Sequence, residues 1–196
     1  MRKDVRALFL DRDGVINEDY GYVHKISDFK FRDGIFDLCK VALDLGYILV
    51  IVTNQSGIGR GLYTELDFLE LSKWMISQFE RNFIKISRIY HCPFHPKFGI
   101  GRYKRQSDLR KPSPGMLLQA ATDFNINLSS SIIIGDQLTD MEAGITANLG
   151  YLLLLNSSID TSDLLKYSRK IHIKSNLFEA KDMVIEIQNQ ESKNPQ

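Results

Sequence analysis

The chain has 196 residues, of which 43% are hydrophobic and 25% charged, with a net charge of +1. This composition suits one compact domain, offers no strong basic field for nucleic acid, and contains no apolar run of the roughly 20 residues that span a bilayer. The two cysteines, Cys39 and Cys92, exclude a disulfide-rich secreted scaffold, so we expect a soluble cytoplasmic protein without a membrane partner.

Apolar runs typical of buried strands alternate with stretches of helical periodicity along the chain. In chain order, the pattern predicts strands at 7–10, 47–52, 87–91, 131–134, 151–155 and 171–173. It predicts helices at 34–45, from 64 onward, at 114–124, from 141 onward and at 177–187. Residues 1–189 are expected to form a single domain, and residues 190–196 a frayed tail. Such alternation favours an α/β fold, in which helices sandwich a parallel sheet.

Four polar clusters are expected beyond the carboxyl ends of the apolar strands. They are Asp11-Arg12-Asp13, Thr53-Asn54-Gln55-Ser56, Arg110-Lys111-Pro112 and Gly135-Asp136. In parallel sheets, ligands bind beyond the carboxyl ends of the strands. Each cluster alone is typical of a turn, a strand cap or a helix N-cap, but their joint occurrence indicates a functional site.

The acidic residues of these clusters predict a metal site. In a strand, Asp11 and Asp13 would point the same way and Arg12 elsewhere, while Gly14 allows a tight turn behind them. Two close carboxylates repel each other unless a cation or a shared proton relieves them. With Asp136 added, three acids and a phosphate fit the hard-oxygen preference of Mg²⁺.

The remaining polar residues suit phosphoryl transfer. Thr53 supplies a hydroxyl and Lys111 a mobile ammonium for the phosphate charge. An aspartate can then attack phosphorus, and a second carboxylate can protonate the leaving oxygen. We expect Asp11 to be the nucleophile and Asp13 the group that moves the protons.

Four segments resemble the motifs of haloacid dehalogenase-like phosphatases: DRDGVIN, VTNQSGIGRG, RKPSPGML and IIGDQLTDMEAG. The resemblance is closer still to the D-glycero-D-manno-heptose 1,7-bisphosphate phosphatases and the related histidinol-phosphate phosphatases. It implies a Rossmann-like domain without a large cap domain. The spacing agrees, because only a short helical segment separates Asp11 from Thr53.

The resemblance also implies a role for each matching residue. Asp11 would be nucleophile and Mg²⁺ ligand, Asp13 would be general acid/base and bind the metal through its backbone carbonyl, and Asp136 would be the third ligand. Thr53 and Lys111 would steady the transferring phosphate. The residues expected to contact the substrate or stabilise the transition state are Asn54, Arg110, Asp19, Tyr20, Gly21, Tyr22, Gln55 and Ser56.

The chain departs from this family at its usual zinc site. Members often carry a structural zinc before the RKP motif, with a Cys-x-His and Cys-x-Cys pattern. Here Cys92 is present, but Phe94, Ser107 and Leu109 stand at the other three positions. Because a structural zinc needs about four ligands, we expect none. The aromatic residues expected to order the loop by packing are Phe94, Phe98 and Tyr103.

A second departure follows Asp136, where the family usually has Lys and this chain has Gln137. The substitution removes one cation near the expected site. It bears on phosphate or sugar binding and leaves the nucleophile in place.

The function expected from the resemblance is Mg²⁺-dependent removal of the C7 phosphate of a heptose 1,7-bisphosphate, in nucleotide-activated heptose biosynthesis. Histidinol-phosphate phosphatase is the alternative enzyme, a phosphometabolite-binding relative without catalysis is another, and a nucleic-acid 3′-phosphatase is a third. The loop before the RKP motif is rich in Lys and Arg, which favours a doubly phosphorylated sugar. We expect a small-molecule sugar phosphate as the partner and a monomeric protein.

Overall fold

Six strands form the central sheet, and every neighbouring pair is parallel. The computed structural model describes residues 5–155, 167 and 171–193. The strands are β1 (Arg6–Leu10), β2 (Tyr47–Asn54), β3 (Ile86–Cys92), β4 (Ile132–Gly135), β5 (Tyr151–Leu155) and β6 (Ile171–Lys174). Their order across the sheet is β3-β2-β1-β4-β5-β6. The predicted α/β class with a parallel sheet is confirmed.

Helices cover both faces of this sheet. They are α1 (Ile35–Asp44), α2 (Ser56–Gly59), α3 (Glu65–Arg81), α4 (Gly115–Phe124), α5 (Leu138–Thr146) and α6 (Leu177–Lys193). Leu8 and Leu10 of β1 pack into a core with α1, α3 and α6, whereas Phe9 belongs to the core with α4 and α5. The alternation of side chains along a strand therefore divides the interior into two apolar layers.

Local sequence signals account for several helix ends. Thr64 forms a capping box with Asp67: its Oγ1 accepts the Asp67 N–H at 3.1 Å, and its own N–H donates to Asp67 Oδ2 at 2.7 Å. Such a cap contributes about 1 kcal/mol. Gly46 follows α1 with φ +85°, a conformation that glycine adopts without strain.

The connection between β1 and β2 is short, as expected for a fold without a large cap domain. It contains only a turn of 3-10 helix at Ile26–Asp28 and helix α1. Within the described residues, none of the helices combines the length and apolarity needed to cross a membrane.

Two helices depart from the predicted boundaries, and α2 is not predicted at all. Helix α5 begins at Leu138, three residues before the expected start, because Gln137 and Asp140 form a capping box there. Helix α6 continues to Lys193, past the predicted end at Ile187. Residues 190–193, which were expected to belong to a frayed tail, are part of this helix, and residues 194–196 lie outside the described part of the chain.

An ion pair accounts for the longer α6. Glu191 Oε2 lies 2.8 Å from Arg6 Nη1 at the start of β1, and Glu191 Oε1 accepts the hydroxyl of Tyr151 at 3.3 Å. The last turns of α6 are thus anchored to two strands of the sheet.

Candidate active site

A cleft of about 370 Å³ opens at the carboxyl ends of β1, β2 and β4. Because parallel strands end at the same edge, residues distant in the chain meet there. The residues lining it are Asp11, Asp13, Asp19, Gly21, Tyr22, Thr53, Asn54, Ser56, Gly57, Tyr63, Lys111, Asp136, Gln137, Thr139 and Asp140.

Three carboxylates converge in this cleft. Asp11 follows β1, Asp136 follows β4, and Asp140 lies in the first turn of α5; one oxygen of each lies within 4.8 Å of the others. Gly14 makes this approach possible, because a Cβ at that position would collide with the Asp136 carboxylate and its φ is +81°.

Lys111 supplies the positive charge among these acids. Its Nζ lies 2.9 Å from Asp11 Oδ1 and 2.5 Å from Asp140 Oδ1, and it donates to the Val52 carbonyl at 2.9 Å. Asn54 holds the Lys111 backbone from both sides: its Oδ1 accepts the Lys111 N–H, and its Nδ2 donates to the Lys111 carbonyl, both at 3.1 Å. The ammonium is thus fixed in place, whereas the sequence had suggested a mobile group.

Burial and like charges disfavour the ionised acids in the free site. Burial, followed by the charges of Asp140 and Asp136, raises the pKa of Asp11 to about 8 against the opposing effect of Lys111. Burial also raises the pKa of Asp136 to about 6. For Lys111, burial acts to lower the pKa, but the carboxylates of Asp11 and Asp140 outweigh it and raise the pKa above its ordinary value.

These observations indicate a site suited to a divalent cation. Three carboxylates face one ammonium, and Asp136 Oδ1 is buried without a hydrogen-bond partner among the described residues. A hard cation would relieve the repulsion and use that free oxygen. Asp140 has less capacity to act as a ligand, because its Oδ1 contacts Lys111 and its Oδ2 accepts the Gln137 N–H at 3.1 Å.

Asp13 is held apart from this cluster. Its Oδ1 accepts from Arg12 Nη2 at 2.6 Å and from Asn17 Nδ2 at 3.0 Å, and its Oδ2 accepts from Gln55 Nε2 at 2.9 Å. The expectation that Arg12 points away from Asp13 is wrong. Strand β1 ends at Leu10, so the alternation of a strand does not apply to these residues.

Most of the expected substrate-contact residues line the cleft, but three do not. Tyr20 is 65% exposed, and its hydroxyl donates to Glu18. Gln55 is buried beneath the cleft. Arg110 is half-buried, and its Nη1 donates to the Phe94 carbonyl at 3.4 Å.

Sequence reasoning missed Asp140 and Tyr63. Asp140 had a detectable signal, because an acidic residue is favoured in the first turn of a helix. Tyr63 had none, since it lies in a connection and reaches the cleft only through its tertiary contacts. Its ring fits against Gly57, where a Cβ would collide with it.

The loop before the RKP motif is ordered by its own contacts. The Phe94 ring lies 6.1 Å from the Tyr103 ring and 3.9 Å from the Arg105 guanidinium. The Tyr103 hydroxyl donates to Glu65 of α3 at 2.8 Å, and its carbonyl accepts the His95 N–H at 3.1 Å. The expected packing by Phe94 and Tyr103 is present.

Phe98 contributes differently from the other two aromatic residues of this loop. It is 59% exposed, and its ring lies 4.9 Å from the His95 ring and 4.6 Å from the Arg60 guanidinium. It therefore packs at the loop surface.

The fold and the lysine–carboxylate site define a haloacid dehalogenase-like hydrolase. A family model described as HAD-hydrolase-like matches residues 108–180. Among solved structures, a HAD-like phosphatase from Mesorhizobium loti superposes with a TM-score of 0.83 at 29% identity, over 95% of this chain and 87% of that one. A D,D-heptose 1,7-bisphosphate phosphatase from B. bronchiseptica, complexed with magnesium and phosphate, superposes with a TM-score of 0.78 at 22% identity. The match covers 93% of this chain and 99% of that one.

Curated relatives narrow the family. The D-glycero-alpha-D-manno-heptose-1,7-bisphosphate 7-phosphatase of Burkholderia mallei is 54% identical over 76% of this chain and 79% of its own. That of Campylobacter jejuni is 46% identical over 91% and 98%. The D-glycero-beta-D-manno-heptose-1,7-bisphosphate 7-phosphatase of Escherichia coli K12 is 44% identical over 80% of this chain and 82% of its own. The chain belongs to the heptose-1,7-bisphosphate 7-phosphatase family, whose members are phosphoric monoester hydrolases.

Proposed function

We propose that the protein is a Mg²⁺-dependent phosphatase that removes the C7 phosphate of D-glycero-D-manno-heptose 1,7-bisphosphate through an aspartyl-phosphate, in ADP- or GDP-heptose biosynthesis. The observation that carries the proposal is the contact of Lys111 Nζ with Asp11 Oδ1 at 2.9 Å, inside a cluster of three carboxylates. The names of the relatives support the substrate.

The residues that would hold Mg²⁺ are Asp11, Asp136 and the backbone carbonyl of Asp13. When bound, the ion supplies positive charge that neutralises the phosphoryl oxygens. Asp140 would act through Lys111, since it fixes the ammonium beside the nucleophile.

The first half of the reaction transfers the phosphoryl group to the protein. An oxygen of Asp11 forms a bond to phosphorus as the bond from phosphorus to the sugar oxygen breaks. The electron pair of the broken bond goes to the sugar oxygen, which takes a proton from Asp13. Lys111 and the Thr53 hydroxyl offset the charge of the phosphoryl oxygens.

The second half regenerates the protein. The Asp13 carboxylate takes a proton from water, and the water oxygen attacks the phosphorus of the aspartyl-phosphate. The bond between phosphorus and Asp11 breaks, its electrons return to the carboxylate, and inorganic phosphate leaves. Asp13 is then protonated again for the next turnover.

Cationic groups beside the cleft suit the second phosphate of the substrate. The Arg60 guanidinium lies 5.6 Å from the centre of the Tyr22 ring, which lines the cleft, and its Nε is buried without a hydrogen-bond partner among the described residues. Burial lowers the pKa of Arg110, and the positive charge of Arg60 acts in the same direction. Guanidinium groups favour a phosphate ligand.

The test measures phosphate release with Mg²⁺ from the alpha and beta anomers of heptose 1,7-bisphosphate and from histidinol phosphate, compared as kcat/KM. We expect a preference of at least about 100-fold for a heptose bisphosphate. Both anomers are needed because the relatives carry both names. A preference for histidinol phosphate would overturn the assignment of a heptose bisphosphate as substrate. Binding of any of the three compounds without release of phosphate would favour a non-catalytic relative.

A further inference from the structure

Gln55 joins two residues that the proposed reaction needs. It is 1% exposed, and its Nε2 donates to Asp13 Oδ2 at 2.9 Å and to Thr53 Oγ1 at 2.8 Å. Both hydrogens of the amide are thus used on the expected proton donor and the expected phosphate contact. In this arrangement the nitrogen of the amide faces Asp13 and Thr53, and its oxygen faces Tyr63.

Tyr63 fixes the other end of the same amide. Its hydroxyl lies 2.6 Å from Gln55 Oε1, and since an amide oxygen only accepts, the hydroxyl donates. The Tyr63 ring is 7% exposed and stacks on His24, with ring centres 4.9 Å apart and planes 3° apart. Gly57 lies against it on the cleft side. Packing therefore holds the hydroxyl in place, and the hydroxyl holds the amide.

The contact from Gln55 differs from the other contacts of Asp13. Arg12 and Asn17 reach the carboxylate from its own segment of chain. Gln55 reaches it from the end of β2, which also carries Thr53. Among the contacts of Asp13 in the described part of the chain, this one fixes it relative to the hydroxyl that is expected to hold the transferring phosphate.

We propose that Gln55, held by Tyr63, is a positioning residue that aims the carboxyl group of Asp13 at the leaving oxygen of the sugar phosphate. The inference rests on the proposed function, in which Asp13 protonates that oxygen. A displacement of about 1 Å in a catalytic group can cost about 100-fold in rate, so a fixed amide matters here.

The experiment compares substrates that differ in their need for a proton. A sugar alkoxide is a poor leaving group, whereas 2,4-dinitrophenolate leaves without protonation. Values of kcat/KM are used because they report only the steps up to departure of the leaving group. The variants are Gln55→Met, which keeps the length of the side chain without its amide, Tyr63→Phe, which keeps the ring, and the double variant.

We expect Gln55→Met to lower kcat/KM for heptose 1,7-bisphosphate by about 100-fold, and for 2,4-dinitrophenyl phosphate by less than about 3-fold. Tyr63→Phe should lower kcat/KM for heptose 1,7-bisphosphate by about 10-fold and hardly change kcat/KM for 2,4-dinitrophenyl phosphate. The double variant should be no worse than Gln55→Met, because Tyr63 acts through Gln55. Tyr90→Phe is the matched control, since the Tyr90 hydroxyl donates to Asp123, away from the cleft, and kcat/KM for both substrates should stay unchanged.

Equal losses on the two substrates would overturn the inference and leave Gln55 a structural residue. If Gln55→Met does not fold, or the wild type does not cleave the aryl phosphate, the crystal structure of Tyr63→Phe decides. A shifted Asp13 carboxylate supports the positioning role, and an unmoved one refutes it. Failure of the proposed function is distinct, because it would show as a wild type without turnover of any sugar phosphate.

Discussion

The ammonium of Lys111 lies 2.9 Å from Asp11 Oδ1 and is itself held by Asp140 at 2.5 Å. This arrangement keeps a positive charge beside Asp11, the proposed nucleophile, before any substrate arrives. Asp140 therefore explains why a buried lysine stays charged, since one acid alone would have to serve both as its partner and as the attacking group. Preorganised charge of this kind is a major source of catalysis in phosphoryl transfer.

Replacing Asp11 by Asn should abolish turnover without unfolding the protein. An amide oxygen cannot form the phosphoryl intermediate, so we expect kcat to fall by at least about 10⁴-fold. Lys111 keeps its contact with Asp140, so the cleft should remain intact. Phosphate release and the Tm are measured together, and near-normal release from the folded variant would refute Asp11 as nucleophile.

Stability without Mg²⁺ should fall as the pH rises. The pKa of Asp11 is raised to about 8 and that of Asp136 to about 6, both from 3.8, so the folded protein binds protons that the unfolded chain has already released. Where the folded state binds more protons, the free energy of unfolding decreases with pH. The stabilisation that comes from the protonated carboxyl groups of Asp11 and Asp136 is fully present below about pH 4, and it is lost as the pH rises through about 6 and then about 8.

Urea unfolding in the presence of a chelator between about pH 5 and pH 8 checks this sign. Asp11→Asn should flatten the dependence of the free energy of unfolding on pH, because it removes the larger of the two pKa shifts. Added Mg²⁺ should stabilise the protein most at the high end of the range, since a metal binds the ionised carboxylates and competes with protons. A stability that rises with pH in the chelated wild type would contradict the raised pKa values.

Gly14→Ala should weaken the binding of Mg²⁺ by displacing Asp136. A Cβ at position 14 would collide with the Asp136 carboxylate, which must then move. We expect the Mg²⁺ concentration for half-maximal activity to rise by about tenfold or more, as for other disturbances around metal ligands.

Gly101→Ala is the matched control for that experiment. Gly101 also has a positive φ, of +53°, but a Cβ there meets nothing within 4 Å. Both variants share the backbone strain of a left-handed residue, so any difference between their Mg²⁺ titrations isolates the collision. Identical titrations would show that Asp136 is not held by Gly14.

The sequence was enough to predict the sheet because its signals are local. Strand β5 was predicted at its observed bounds, since a run of four leucines after Tyr151 is apolar on both faces. The single turn α2 escaped prediction because four residues carry too little periodicity. The extension of α6 depends on the pair between Glu191 and Arg6, at opposite ends of the chain, which no local pattern reveals.

Part of the site was predictable because its residues follow strands. Asp11, Thr53 and Asp136 come directly after or at the end of buried strands, and the structure places all three in the cleft. The orientation of a side chain past a strand end was not predictable. Arg12 turns onto Asp13, and Gln55 turns inward, because their partners come from several segments.

Tyr103→Ala should loosen the basic loop that precedes the RKP motif. The variant loses the ring that packs near Phe94 and the hydroxyl that binds Glu65 of α3. Because the loop contains several Lys and Arg residues, trypsin should cut it about tenfold faster once it opens more often.

Tyr103→Phe separates the two contributions to that loop, since it keeps the ring and removes only the hydroxyl. Its cleavage rate should lie between those of the wild type and Tyr103→Ala. A zinc chelator should leave the wild-type rate unchanged, because Cys92, His91 and His95 are engaged otherwise. Cys92 is buried, the His91 ring lies 4.3 Å from the tilted Phe68 ring, and His95 Nδ1 accepts backbone N–H groups. Faster cleavage with the chelator, together with no effect of Tyr103→Ala, would show instead that a metal orders the loop.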